Sequence, residues 1–177
     1  EIDLSSPTMV YASEYIYTAT FDATATPKKI RINKLNTELE NVWDQTGVAL
    51  TPENDQRNVF LVDLGGVGVG CFWSESRSFL SGFDIFFQSL NPDGDPQLSS
   101  GGITVAESNG DDYIQAVIPA PDGISFLIFW VEEVWPASRL KYNRVELNGQ
   151  VSTGWPPNGF NLSNQSIGAD NLSVKKI

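Results

Sequence analysis

The chain contains no histidine, so the side chain that most often acts as a near-neutral general base and as an imidazole metal ligand is missing. Histidine-based catalytic triads and zinc sites are thereby excluded. The single cysteine, Cys71, cannot form an intrachain disulfide, and its setting in Val69-Gly70-Cys71-Phe72-Trp73 marks it as a buried small hydrophobe rather than a reactive thiol. Basic residues are scarce: 11 Lys and Arg against 22 Asp and Glu leave a formal charge of −11 over 177 residues. Such a field repels phosphate backbones and anionic lipid, which argues against nucleic acid as a partner and leaves neutral or cationic partners open. No apolar run approaches the roughly 20 residues that cross a bilayer as a helix, so no membrane insertion is expected.

Asn, Ser, Thr and Gly are abundant instead, and the chain begins at Glu1 without a methionine or a signal-peptide pattern. These features favour an extracellular, secreted, cell-surface or periplasmic chain of bacterial type, processed or cut from a longer protein. Asn-x-Ser triplets occur at Asn161, Asn164 and Asn171. In a chain this rich in Asn and Ser they arise readily by chance, and a bacterial source would leave them unmodified.

The strongest pattern is an internal repeat. Leu-Asn pairs stand at Leu35-Asn36, Leu90-Asn91 and Leu147-Asn148, spaced 55 and 57 residues apart, and Gly47, Gly102 and Gly159 keep the same intervals. A period of this size means one supersecondary unit reused. The second unit reads as four strands: Asn58 to Leu64, Val67 to Trp73 after the Gly65-Gly66 turn, Phe83 to Leu90, and the alternating run from Gly102 to Ala106. A polar loop is expected through Ser74-Glu75-Ser76-Arg77. The third unit repeats this order with Tyr113 to Ala120, Ile124 to Trp130, Leu140 to Leu147 and Gly159 to Ser163. In the first, Tyr15 to Phe21, Lys29 to Leu35 and Gly47 to Thr51 correspond, with Phe21 in the place of Trp73 and Trp130. Trp43, Leu98 and Trp155 each precede a strand glycine by four residues. No segment carries a convincing apolar period of 3.6 residues with caps. The expectation is an all-β array with units over about 5–51, 52–106 and 107–163, and the start of a fourth over 164–177.

Four antiparallel strands in about 55 residues is the size of a β-propeller blade. The run Phe72-Trp73-Ser74-Glu75-Ser76-Arg77, followed by Phe83-Asp84-Ile85-Phe86-Phe87-Gln88-Ser89-Leu90-Asn91-Pro92-Asp93-Gly94, resembles the blade repeats of secreted bacterial propellers of the sialidase-like type. In those repeats a W-x-D/E-x-R strand end leads to D-I-Y-x-Q-x-L-x-x-x-G. The resemblance spans nearly the whole chain but is close only in the second unit. Lys141 and Val145 replace Asp84 and Gln88 in the third, and Lys29 and Asn33 in the first. Three blades fall short of the four to eight that closed propellers use, so the array is expected to be part of a larger propeller or to be completed by a partner. A β-trefoil, a single closed domain with threefold repetition, is the alternative architecture.

Glu75 and Glu132 each follow a matched tryptophan by two residues. Recurrence favours a scaffold role over catalysis, because a catalytic group is needed once and a scaffold group in every unit. The loop Asn91 to Pro96 offers Asp93 and Asp95 as a weak calcium candidate, although Asn-Pro-Asp-Gly is also ordinary turn chemistry. The loops expected to join second to third strands, Ser74 to Gly82 and Val131 to Ser138, carry Arg77, Phe79, Trp135 and Arg139, residue types enriched at binding hot spots, and form the candidate binding patch. No cofactor is implied. The sequence thus favours a non-enzymatic propeller module that binds a protein or glycan partner at the cell surface, or serves as scaffold. The alternatives are a fragment of a sialidase-like, glycan-processing enzyme and a carbohydrate-binding trefoil lectin.

Overall fold

The computed structural model describes residues 8–22, 24–51, 53–78 and 82–162. Phe79, Asn164, Asn171 and the expected start of a fourth unit lie outside the described residues. Three four-stranded antiparallel sheets follow one another along the chain. The first holds β1 (Thr8–Ala12), β2 (Tyr15–Asp22), β3 (Lys29–Leu35) and β4 (Val48–Ala49). The second holds β5 (Asp55–Asp63), β6 (Val69–Ser78), β7 (Gly82–Leu90) and β8 (Ile103–Ala106). The third holds β9 (Asp111–Pro119), β10 (Ser125–Val134), β11 (Ala137–Glu146) and β12 (Phe160–Asn161). All described elements are strands, and within each sheet the strands lie in chain order, as in a blade.

No ladder joins one sheet to another among the described residues. A trefoil, as a single closed domain, does not describe this arrangement, because each unit keeps its strand ladders to itself. The sheets stack face to face instead. β5 lies against β1, β2 and β3, and β9 against β5, β6 and β7, so the first strands neighbour one another and the units fan out from them.

The alternation of side chains along a strand explains why the middle sheet has two dry faces. On one, Val69, Cys71, Trp73, Phe86 and Leu90 meet Tyr17, Ala19, Ile30 and Ile32 of the first sheet. On the other, Phe72, Ile85 and Phe87 meet Ile114, Phe126, Ile128 and Trp130 of the third. Each Val, Leu, Ile or Phe among them that is withdrawn from water stabilises the stack by roughly 1.5–3 kcal/mol. The outer faces differ from this and from each other. The first sheet shows solvent Thr20 and the half-buried Thr18, Arg31 and Asn33, whereas the far face of the third carries half-buried Ile118, Leu127, Phe129 and Tyr142.

The repeated marks acquire physical causes. Gly47, Gly102 and Gly159 have φ of +66°, +75° and +69°, and each N–H closes a turn onto a carbonyl three residues earlier. Asn36 and Asn91 fold their side-chain carbonyls back onto the N–H groups of Glu40 and Asp95, both at 2.8 Å, which shapes the loop after the third strand. In the third unit the matching turn is anchored at Glu146, whose N–H meets the Gln150 carbonyl as that of Asn91 meets the Asp95 carbonyl. The counterpart of Leu90 is therefore Val145, which bridges to Val151 as Leu90 bridges to Pro96, and not Leu147.

This two-residue shift corrects several expected correspondences. Trp73 pairs with Phe86, but Trp130 pairs with Lys141, so Arg139 stands where Asp84 does and Asn143 where Gln88 does. Asn143 Nδ2 donates to the Pro156 carbonyl at 2.9 Å as Gln88 Nε2 donates to the Ser99 carbonyl at 3.1 Å. In the first unit Thr20, paired with Arg31, occupies the tryptophan position. Phe21 is one residue out and points to the opposite face, into the core shared with the second unit. Both expected loops are mostly strand: β6 runs to Ser78 with Glu75 opposite Asp84, and β10 runs to Val134 with β11 starting at Ala137, so only Trp135 and Pro136 of 131–138 lie outside the ladder.

Candidate functional site

The turns from second to third strand and the crossings from each fourth strand to the next unit share one end of the fan, as antiparallel order within each sheet requires. The amide of Phe83 in β7 donates to Asp111 Oδ1 of β9 at 2.9 Å and ties the second and third units together there. Four carboxylates are buried at this end: Glu75, Asp84, Asp112 and Glu132.

Glu75 is a hub. Its Oε2 accepts from Thr51 Oγ1 at 2.6 Å, Trp73 Nε1 at 2.7 Å and Gln56 Nε2 at 2.9 Å. Its Oε1 accepts from Arg77 Nε at 2.6 Å and Asn54 Nδ2 at 2.8 Å. Gln56 in turn accepts the Ile30 amide at 2.7 Å, which carries the network into the first sheet. Burial works to raise the Glu75 pKa, but the hydrogen bonds from Gln56, Thr51, Trp73 and Arg77 outweigh it and hold the carboxyl below its ordinary value. With five donors around two oxygens, Glu75 locks the first two units together and has no lone pair turned to a reactant.

The third unit solves the same problem differently. Trp130 Nε1 donates to Asp112 Oδ1 at 3.0 Å, and Glu132 accepts from Lys141 Nζ at 2.8 Å and Arg139 at 3.4 Å. Asp112 Oδ2 is buried and has no hydrogen-bond partner among the described residues. Burial, with the charge of Glu132 opposite, pushes the Asp112 pKa up to about 7. Burial also lifts Asp84 to about 6.

The candidate patch divides into engaged and free residues. Arg77 is engaged: besides Glu75 it donates to the Gly101 carbonyl, and its guanidinium lies 3.5 Å from the centroid of the Phe86 ring. Arg139 is half exposed and leans on Glu132. Trp135, in the tight turn between β10 and β11, is 94% exposed and touches no other ring and no cation among the described residues. Beside it a cleft of about 310 Å³ is lined by Asp111, Glu133, Val134, Pro136 and Ser138.

Asp93 and Asp95 sit in a turn organised by Asn91, whose Oδ1 accepts both of their amides. Among the described residues no three His, Cys, Asp or Glu side chains stand together as a metal site. The same loop serves as a strut, because the Pro92 carbonyl accepts Lys34 Nζ at 2.8 Å and Trp43 Nε1 at 3.1 Å from the first unit. Asp112 and Lys34 are the participants that the sequence did not single out. The charged types at otherwise apolar strand positions were the available signal.

No family model, no curated protein and no solved structure matches this chain. What defines its class is therefore the architecture itself: an all-β protein of three stacked, four-stranded, blade-like units.

Proposed function

We propose that the chain is a run of β-propeller blades and acts as a non-enzymatic binding or structural scaffold outside the cell. The observation that carries this reading is one face used three times. The face built on Ile30 and Ile32 in the first unit is fully covered by the second, and the matching face of Ile85 and Phe87 in the second is fully covered by the third. In the third unit the same face presents Leu127, Phe129 and Tyr142 only half-buried, with no further sheet on it among the described residues. An apolar face of this kind calls for another blade, supplied by a longer chain or by a partner. The absence of histidine and the enclosure of the buried glutamates by hydrogen bonds support a scaffold over an enzyme.

Sedimentation of the 177-residue chain, with the intact mass of the native material, tests the reading. Self-association of the isolated chain, or a longer native protein, is expected. A stable dilute monomer of this length that binds no hydrophobic dye overturns it. Turnover of a sialoside or an aryl glycoside overturns the non-enzymatic part.

A further inference from the structure

Asp111, Glu133 and Ser138 stand directly opposite one another across β9, β10 and β11, one strand step from the turn that holds Trp135. Like charges facing across a ladder destabilise a sheet. One step further in, the pair Asp112 and Glu132 has the same defect and is compensated by Trp130, Lys141 and Arg139. The outer pair has no cation: Asp111 Oδ1 accepts the Phe83 amide, but Glu133 is exposed and neither Glu133 nor Asp111 has an ion-pair partner among the described residues. Arg139 does not reach it, since it points to the opposite face from Glu133 and Ser138 and is engaged with Glu132. The negative field here is felt by Tyr113, whose phenol burial raises first and Asp111 and Glu133 raise further, up to about 12.

Elsewhere the molecule covers aromatics with its own cations: Lys34 lies 3.9 Å from the Tyr15 centroid, Arg57 4.3 Å from Phe83 and Arg77 3.5 Å from Phe86. Trp135, the ring type that binds cations best, is left bare beside an acid pair that has no cation among the described residues. We propose that the cleft formed by Trp135, Glu133 and Asp111 binds a lysine or arginine side chain on a basic segment of a partner protein. The indole face supplies the cation–π surface, the two carboxylates supply the negative charge, and the bound side chain brings the cation that the sheet lacks there. The formal charge of −11 draws such a segment in and speeds its encounter. This inference deepens the binding part of the reading above and is independent of how the blade array is completed.

The test is a titration of the whole chain with tetralysine, followed through the indole N–H resonances of the five tryptophans, with Trp135 assigned by its loss in W135A. Trp135 lies at an exposed turn and Glu133 on an exposed position, so both W135A and E133Q are expected to fold, which the remaining resonances verify. The Trp135 signal should move most, W135A should weaken binding about three- to fivefold, and E133Q should weaken it and flatten its salt dependence. Binding unchanged in W135A and E133Q, or no binding at all, overturns the proposal. So does a neutral oligosaccharide that moves the Trp135 signal when tetralysine does not; that outcome would leave the scaffold reading standing and replace only the ligand class.

Discussion

Gly159 lies against the edge of the Trp130 indole, as Gly102 lies against that of Trp73. A methyl group added at Gly102 would stand 2.9 Å from Trp73 Cη2 and would collide with the Phe87 carbonyl oxygen. The same addition at Gly159 would meet the Trp130 ring and, at 2.8 Å, the Tyr142 carbonyl. Gly102 and Gly159 therefore each let a fourth strand close over a buried tryptophan.

Alanine at Gly102 is expected to cost about 3 kcal/mol or more, because positive φ, a backbone collision and a displaced indole combine. Gly65 has a similar φ of +69° with nothing within 4 Å of an added methyl, so G65A should cost only about 1 kcal/mol. Urea unfolding of the two variants measures the difference. Equal costs would show that backbone conformation alone sets the requirement.

Removing the carboxylate hub should loosen the first unit from the second. E75A is expected to cost about 3–5 kcal/mol, since buried donors of Thr51, Gln56 and Trp73 lose their acceptor. Because the folded pKa of Glu75 is depressed, its contribution is present above the unfolded value and lost as pH falls through the folded one. Wild type should lose stability relative to E75Q in that acid range, measured by thermal unfolding at a series of pH values.

Asp112 acts with the opposite sign. Its folded pKa of about 7 lies above the ordinary carboxylate value, so its stabilising contribution is complete at low pH and is lost as pH rises towards 7. D112N should remove this decline and be more stable than wild type above neutrality, by on the order of 4 kcal/mol if the group acts alone. A variant whose pH profile runs parallel to that of wild type would refute this account of the residue.

Cys71 is fully buried between the first and second sheets, and burial pushes its thiol pKa up. Labelling by an aromatic disulfide should be undetectable in native buffer and rapid in denaturant. Fast native labelling would mean that the two sheets separate readily.

The positions of most strands were legible because their causes are local: β-branched and aromatic runs, alternation, and glycines that only a turn explains. Pairing register was not, because it depends on hairpin length. β10 and β11 are joined through Trp135-Pro136, whereas β6 and β7 are joined across 79–81 and carry a register shift between Glu75 and Ser78; the longer connection and that irregularity together put Asp84 opposite Glu75 where Arg139 faces Glu132. Matching letters such as Leu147-Asn148 concealed the shift, and Phe21 was placed on the wrong face by a single residue. Trp135 was legible as a large apolar group between the second and third strands of its unit; its exposure was not, because it follows from how few residues form the turn. The lack of compensation at Glu133 was not, since it follows from which strand edges the fold brings together.

The middle sheet has no wet face, and this sets the order in which the molecule comes apart. Peeling away the first or the third unit exposes one core, whereas unfolding the second exposes both. In a chain stabilised mainly between neighbours, opening therefore starts at the two outer units and reaches the second last. The slowest-exchanging amides should lie in β6 and β7, whose loss leaves the other two sheets with nothing in common.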